Sequence, residues 1–296
     1  MGRSLAARLV DVYFILSGHR RGYTRIARQV EAGTFQYQEE TYDVRRCLKD
    51  VRSERSCGRT VHLINDKSPE QTTLFYLHGG GYAHPASKYH YRFLRRLVRA
   101  TDWRVIFPIY GRAPLHTCNE EIPLLAQLYR RYTAGCPRII VGGDSAGGGL
   151  AVALTCALKE EEQPLPQGLM LFSPWVDLTV SNPEIARLRR QDRMIDLYST
   201  EPLAELWSDH CRDAPLASPL FADLSGLPPC LLYTGTRESL YPDTLRFRQR
   251  LEQSRVRLIY REYDGMGHVF ILYPIKEAAA ACRDLLHDLD ALLADS

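Results

Sequence analysis

The strongest indication of the fold is the stretch Val141-Gly142-Gly143-Asp144-Ser145-Ala146-Gly147-Gly148-Gly149. It follows a short apolar, β-branched run at 138–141 and precedes 150–154, which is rich in helix formers. The sequence therefore predicts a strand, then a glycine-rich turn with one serine, then a helix. The turn has the G-x-S-x-G form of a nucleophile elbow. The serine of such a turn sits at a strained apex, so bulky side chains two residues before or after it do not fit. The pattern predicts that Ser145 is a nucleophile if the rest of the chain supplies its partners.

Short apolar runs alternate with helical patterns along the 296 residues. This alternation predicts an α/β fold, in which a mostly parallel sheet is covered by helices on both faces. The length fits a single domain. The segments 1–45 and 183–212 are helical in pattern but extra to the alternation, and we expect them to form a helical cap over the carboxyl edge of the sheet. Strands are predicted at 61–64, 72–77, 103–109, 138–141, 168–172, 230–233 and 256–260, and further helices at 89–100, 118–132, 145–158, 241–253 and 275–293.

Composition excludes several classes of protein. The net charge of +3 is too small to indicate a nucleic-acid partner, and no apolar run is long enough for stable membrane insertion. The eight cysteines have no C-x-x-C spacing, and the histidines have no ligand spacing, so we expect no metal. Scattered cysteines inside apolar runs favour a reducing, cytoplasmic location.

The N-terminal segment is basic and has one helical apolar face. Residues 1–60 contain twelve Lys and Arg against seven Asp and Glu, which indicates a solvated surface, with peripheral membrane contact as the less favoured alternative. Leu5, Leu9, Val12 and Leu16 follow steps of four, three and four. This spacing predicts an amphipathic helix that lies on the protein with these side chains packed against it.

Acyl transfer by a serine requires a base, a group that orients the base, and donors for the oxyanion. His268 lies in a glycine-bearing loop between a predicted strand and the last helix, so it can approach the serine as general base. The acid should follow the penultimate strand, where Glu238 and Asp243 are both candidates. Glu238 is nearer the strand end and is the predicted acid. Asp243 is interpreted as a first-turn helix acid.

The loop His78-Gly79-Gly80-Gly81 follows a predicted strand and has the HGGG form found beside oxyanion holes. Glycines allow consecutive backbone N–H groups to turn toward a substrate. We therefore predict Gly79, Gly80 and Ala146 as the oxyanion donors, and we expect His78 to brace the loop.

These motifs resemble the hormone-sensitive-lipase-like branch of the α/β-hydrolases, and the resemblance covers about residues 60–295. It implies an α/β-hydrolase fold with a helical cap, a carboxylic ester hydrolase activity without cofactor, the triad Ser145, Glu238 and His268, and a homodimer through the last strand and helix. Two positions depart from the family pattern: Gly111 interrupts the usual tyrosine-arginine-leucine-alanine-proline stretch, and the acid is more often aspartate. The resemblance rests on the stretches 78–82, 143–148, 172–178, 218–229 and 264–270.

The predicted function is that of a serine carboxylesterase acting on small-molecule esters with short or medium acyl chains. Gly81, Tyr82, Leu206 and Trp207 are predicted to contact the substrate. For Tyr82, Leu206 and Trp207, a place in the core of the cap is an alternative of at least equal weight. Two other functions stay open at this point. One is a non-catalytic ligand-binding scaffold of the same fold, and the other is an amide or carbamate hydrolase that uses the same triad.

Overall fold

The structure, a computed structural model, describes residues 3–294. Across these residues the chain forms one eight-stranded sheet with the strand order β1-β2-β4-β3-β5-β6-β7-β8. The strands are β1 (Val51–Ser56), β2 (Arg59–Ile64), β3 (Thr73–Leu77), β4 (Arg104–Ile109), β5 (Ile139–Asp144), β6 (Gly168–Phe172), β7 (Cys230–Gly235) and β8 (Leu258–Tyr263).

Six of the strands, from β3 to β8, run parallel, whereas β2 is antiparallel to both β1 and β4. The predicted α/β class with a mostly parallel sheet is therefore confirmed. Strands β3, β5, β6 and β7 are buried at every position, as expected for parallel strands that helices cover on both faces.

Helices cover both faces of this sheet. Alternate strand residues point into two apolar layers, with Phe75 and Val141 in one and Leu74 and Ile140 in the other. The helices are α1 (Leu5–Ser17), α2 (Gly22–Glu31), α3 (Lys88–Thr101), α4 (Cys118–Thr133), α5 (Ala146–Glu160), α6 (Glu184–Leu188), α7 (Glu201–Trp207), α8 (Tyr241–Gln253) and α9 (Lys276–Ala294). None of the helices within residues 3–294 is long and apolar enough to cross a bilayer.

The segments 1–45 and 183–212, which are extra to the strand-helix alternation, contact each other near Ser145. Helix α2 contacts α7, and residues of both segments line one cavity together with Ser145. Within residues 3–45 the helical parts are α1, α2 and two single 3-10 turns, so the helical pattern predicted for 1–45 is wrong for 32–43, which is irregular.

Helix α1 is turned the opposite way from the prediction. Leu5 and Leu16 are 73% and 80% exposed, and Leu9 and Val12 are exposed as well. The buried side is formed by Ala7 and Phe14. Polar contacts with the body of the protein explain this orientation, because the Ser4 N–H and hydroxyl bind Glu277 and the Arg237 guanidinium pairs with Asp11.

Candidate active site

Ser145 stands at a sharp turn between β5 and α5. Its backbone has φ of +53°, a conformation that side-chain-bearing residues rarely adopt and that the surrounding structure must hold in place. The turn requires glycine at 143 and 147 because the backbone there lies very close to other backbone atoms. A Cβ atom on Gly147 would lie 2.1 Å from the Leu77 carbonyl oxygen, and one on Gly143 would lie 2.3 Å from the Gly147 carbonyl oxygen.

Gly147→Ala is therefore expected to lower both stability and turnover. The added methyl group overlaps two backbone carbonyls that cannot rotate away, so we expect a loss of about 3 kcal/mol in the free energy of unfolding. Urea denaturation measures this loss. Gly267→Ala is the matched control for stability, since a Cβ atom there meets no described atom within 4 Å. Equal unfolding free energies for the two variants would contradict the steric account of the elbow.

The structure brings Ser145, His268 and Glu238 together. The Ser145 Oγ atom lies 2.8 Å from His268 Nε2, and Glu238 Oε2 lies 2.5 Å from His268 Nδ1. All three side chains are buried. The second oxygen of Glu238 accepts hydrogen bonds from the Thr234 hydroxyl and the Gly235 N–H. The carboxylate is thus fixed at the end of β7 and can orient the imidazole ring.

Asp243 lies in a different network. It occupies the first turn of α8, where its carboxylate binds the Asn182 amide at 2.8 Å and the Arg246 guanidinium at 3.1 Å. Between the two candidate acids, it is Glu238 that the structure places beside His268.

The environment of His268 favours its protonated form. Burial alone disfavours the imidazolium, but the hydrogen bond and charge of Glu238, with the charge of Asp192, outweigh burial and raise the pKa of His268 above its ordinary value of 6.5. A higher pKa strengthens the ring as an acceptor of the serine proton.

Asp192 is a buried acid that no sequence motif indicates. It lies in the segment 183–212, and its carboxylate accepts the Ser239 N–H at 2.7 Å and two N–H groups of its own turn, from Met194 and Ile195. It therefore ties this segment to the loop that carries Glu238. A lone acid in a polar, basic stretch gives no periodic signal, so the sequence could not have distinguished it from a surface residue.

The glycine loop after β3 is held by Asp144. Its carboxylate accepts hydrogen bonds from the Tyr76 hydroxyl at 2.8 Å and the Gly79 N–H at 3.1 Å, and it lies 3.2 Å from His90 Nε2. Burial alone would raise the pKa of Asp144, but the charge of His90 and these three partners reverse the effect and lower it. The loop is thereby fastened to the nucleophile elbow.

This contact corrects the prediction for one oxyanion donor. The Gly79 N–H is engaged by Asp144 and is not free to face a substrate. The N–H groups of Gly80, Gly81 and Ala146 have no hydrogen-bond acceptor within residues 3–294. Gly80 has φ of +133°, which glycine adopts readily, and a Cβ atom there would lie 2.4 Å from the His84 carbonyl oxygen. The free N–H groups of the loop therefore begin one residue later than predicted, at Gly80.

His78 braces the same loop. Its Nδ1 atom lies 2.7 Å from the Gly79 carbonyl oxygen, and its ring stacks on Tyr110 at 4.5 Å between centroids. Burial, with the nearby charges of His90 and Arg112, lowers the pKa of His78 to about 3. The ring is therefore neutral near pH 7 and fills space beneath the loop.

A cavity of about 310 Å³ opens onto Ser145 and His268. Gly79 and Gly80 lie on its floor, and Met194 and Ile195 contribute to its wall. Such a volume is at the lower end of the range typical of small-molecule sites. Aromatic rings make up much of the remaining wall, namely those of Tyr13, Phe14, His19, Tyr23, Tyr42, His84, Tyr89, His90 and Tyr273.

Three of the predicted substrate-contacting residues, Tyr82, Leu206 and Trp207, have their side chains elsewhere. The Tyr82 ring stacks between Trp207 at 4.4 Å and Trp175 at 5.7 Å, and Leu206 packs half-buried against the same apolar layer. None of Gly81, Tyr82, Leu206 and Trp207 is among the described residues that line the cavity. The alternative interpretation of Tyr82, Leu206 and Trp207 as core fits their positions, because a fully stacked tyrosine cannot also face a ligand.

Metal-ligand geometry is not found in the described part of the chain. Within residues 3–294, no group of three or more His, Cys, Asp or Glu side chains is arranged to hold a metal ion.

Comparisons with known proteins agree with this geometry. A family model described as alpha/beta hydrolase fold matches residues 74–272. An esterase of Acinetobacter venetianus is 31% identical over 79% of this chain and 80% of its own length. An acetyl-hydrolase of Streptomyces hygroscopicus is 31% identical over 72% of this chain and 73% of its own length.

Two crystal structures extend the likeness to nearly the whole chain. A hormone-sensitive lipase from a metagenome library has 25% identity and a TM-score of 0.81, and the match covers 98% of this chain and 100% of that one. An esterase from the bacterial hormone-sensitive lipase family has 28% identity and a TM-score of 0.73, covering 94% and 96%. The elbow, the glycine loop and these matches together show that the chain belongs to the alpha/beta hydrolase fold family, in its hormone-sensitive-lipase-like carboxylesterase branch.

Proposed function

We propose that the chain is a serine carboxylesterase that hydrolyses esters with short or medium acyl chains through an acyl-enzyme on Ser145. The observation that carries the proposal is the continuous buried array of Ser145, His268 and Glu238 at the floor of a cavity. An intact base and acid beside the serine argue against the alternative of a non-catalytic scaffold.

The first half of the proposed mechanism forms the acyl-enzyme. Ser145 Oγ attacks the ester carbonyl carbon while His268 Nε2 takes the hydroxyl proton. Glu238 stabilises the imidazolium that results. The negative oxygen of the tetrahedral intermediate accepts hydrogen bonds from the free N–H groups of Ala146 and of Gly80 or Gly81, each of which contributes roughly 3 kcal/mol to lowering the barrier.

The second half releases the products. His268 returns the proton to the alkoxide, which leaves as an alcohol. A water molecule then attacks the acyl carbonyl while His268 accepts one of its protons, and collapse of the second tetrahedral intermediate restores the Ser145 hydroxyl and frees the carboxylic acid. Each step moves protons only among the array, the substrate and the attacking water, and no cofactor takes part in this proposal.

The segments 1–45 and 183–212 act in this proposal as a cap that shapes the cavity. Tyr13, Phe14, His19 and Tyr23 come from the first segment, and Met194 and Ile195 from the second. Their aromatic and aliphatic surfaces favour an apolar acyl or alcohol group. Asp192 anchors the second segment to the acid loop.

We expect wild-type turnover to be highest for short acyl chains. On p-nitrophenyl acetate, butyrate, hexanoate and palmitate, kcat/KM should be largest for one of the first three and at least about tenfold lower for palmitate, because the cavity is small. Parallel assays with p-nitroacetanilide and a p-nitrophenyl carbamate separate ester from amide and carbamate hydrolysis. A maximum at palmitate, or faster amide cleavage, would contradict the proposed substrate class.

We also propose that two copies pair through β8 and α9. Strand β8 is at the end of the sheet, so its outer edge has no neighbouring strand among residues 3–294. An edge of this kind can pair with another copy.

A further inference from the structure

The outward side of α1 carries a row of aliphatic side chains, which we name the apolar stripe: Leu5, Leu9, Val12 and Leu16. Their exposed fractions are 73%, 58%, 46% and 80%. Steps of four, three and four residues place all of them on one side of the helix. An exposed aliphatic patch that is bordered by polar residues is typical of a protein or membrane interaction site.

The direction of the stripe is fixed by contacts on the other side of α1. The Ser4 backbone and hydroxyl bind Glu277 at 2.7 and 2.8 Å. Asp11 pairs with Arg237 at 3.5 Å, and the Phe14 ring meets Tyr273 edge-on at 5.3 Å. Because the helix is held by its polar and aromatic residues, the stripe faces outward in the folded protein.

A cluster of cations lies beside the carboxyl end of the stripe. One surface groove is lined by Ile15 and Leu16 together with five arginines. Asp196 is the acid in this groove, and it pairs with two of the arginines, Arg20 and Arg189. We name the five arginines the arginine rim: Arg20, Arg21, Arg189, Arg190 and Arg193.

Three arginines of the arginine rim are exposed and form no ion pair within the described residues. Arg21, Arg190 and Arg193 are exposed. No carboxylate lies within ion-pair distance of these three in the described part of the chain. Uncompensated guanidinium groups next to an aliphatic surface complement a layer that is apolar inside and anionic outside.

We propose that the apolar stripe and the arginine rim bind the surface of a bilayer that contains anionic phospholipid. Helix α1 lies parallel to that surface, with the stripe among the acyl chains and the rim against the phosphates. The aliphatic stripe has no side-chain hydrogen-bonding group, so it suits lipid tails better than a polar protein surface. The binding concerns a face outside the triad and goes beyond the proposed ester hydrolysis.

The geometry also relates this face to the cavity. Tyr13 and Phe14 belong to α1 and line the cavity that leads to Ser145. A bilayer held on the stripe therefore lies beside residues of the cavity wall.

Sedimentation of the full-length protein with vesicles tests the proposal. One set of vesicles contains ether-linked phosphatidylglycerol and phosphatidylcholine, and the other contains ether-linked phosphatidylcholine alone. Ether lipids cannot be hydrolysed by an esterase, so binding is measured independently of the proposed activity, and turnover of soluble p-nitrophenyl acetate is measured separately. We expect the wild type to partition onto the anionic vesicles about tenfold more strongly, with the preference lost at about 1 M salt.

Variants separate the contributions of the apolar stripe and the arginine rim to vesicle binding. The triple variant Leu5→Ser, Leu9→Ser, Leu16→Ser should reduce partitioning by about tenfold or more. The double variant Arg190→Glu, Arg193→Glu should remove the preference for anionic vesicles. Leu115→Ser is the matched aliphatic control, since Leu115 is 58% exposed outside the stripe. Arg99→Glu, Arg138→Glu is the matched charge control, and both residues are exposed.

Three results would overturn the proposal. The first is that the wild type binds neither kind of vesicle, a result that can be interpreted without any variant. The second is a triple variant that partitions as well as the wild type. The third is light scattering that shows a dimer of the wild type, a monomer of the triple variant, and no vesicle binding by either, which would assign the stripe to a second copy of the chain.

Discussion

Ser145→Ala lowers kcat/KM for p-nitrophenyl acetate by at least about 10⁴-fold, according to the array that the structure places around this residue. The variant keeps the cavity and the oxyanion donors but lacks the atom that forms the acyl bond. The lost hydroxyl accounts for one hydrogen bond in the folded state, so the melting temperature should change little. Steady-state kinetics and thermal denaturation measure the two quantities.

The control for this variant is Ser181→Ala, which removes an exposed hydroxyl outside the site. We expect its turnover to equal that of the wild type. Comparable rates for Ser145→Ala and the wild type would show that the ester is cleaved without this nucleophile.

Glu238→Gln is expected to reduce kcat/KM by about 10²- to 10⁴-fold and to change its pH dependence. The base must be neutral to accept a proton, so activity falls as the pH drops through the pKa of His268. Glu238 raises that pKa. Removing its charge therefore lowers the pKa of His268, and the acid limb of the kcat/KM profile moves to lower pH even as the rate falls.

Asp243→Asn is the matched control for the acid. It removes a buried carboxylate of the neighbouring helix that binds Asn182 and Arg246, so we expect an effect on stability but an unshifted acid limb. If the Asp243 variant loses turnover and the Glu238 variant does not, the assigned acid is wrong.

The central strands could be predicted because each is a short apolar run between turn signals. Strands such as β3 and β5 are buried on both faces, so the run of apolar residues follows from their position in the sheet. Strand β1 (Val51–Ser56) was not predicted. Its sequence is largely polar because it lies at the sheet edge and is mostly exposed, and such a strand has no apolar pattern to detect.

The orientation of α1 could not be predicted from periodicity. The spacing of Leu5, Leu9, Val12 and Leu16 defines one face of a helix, but it does not say what that face meets. The structure packs the helix through long-range partners, Glu277 and Tyr273. Contacts across such a distance along the chain leave no local signal.

For the glycine loop, the sequence predicts the position of the loop but not which of its N–H groups is free. The motif identifies a loop that can present N–H groups, and the structure places it beside Ser145. Which amide is free depends on the Asp144 carboxylate, which takes the Gly79 N–H. The prediction for the substrate wall meets the same limit. Tyr82 and Trp207 stack on each other, whereas half of the aromatic rings that line the cavity come from the N-terminal segment.

Labelling with a fluorophosphonate reports directly on whether Ser145 is an activated nucleophile. The reagent reacts with a serine only where a base activates the hydroxyl and donors stabilise the developing charge. Intact-mass spectrometry and peptide mapping should find one adduct per wild-type chain, located on Ser145, and none on Ser145→Ala or His268→Ala. A wild type that is not labelled, or an equal adduct on Ser145→Ala, would contradict the assignment of Ser145 as the activated nucleophile.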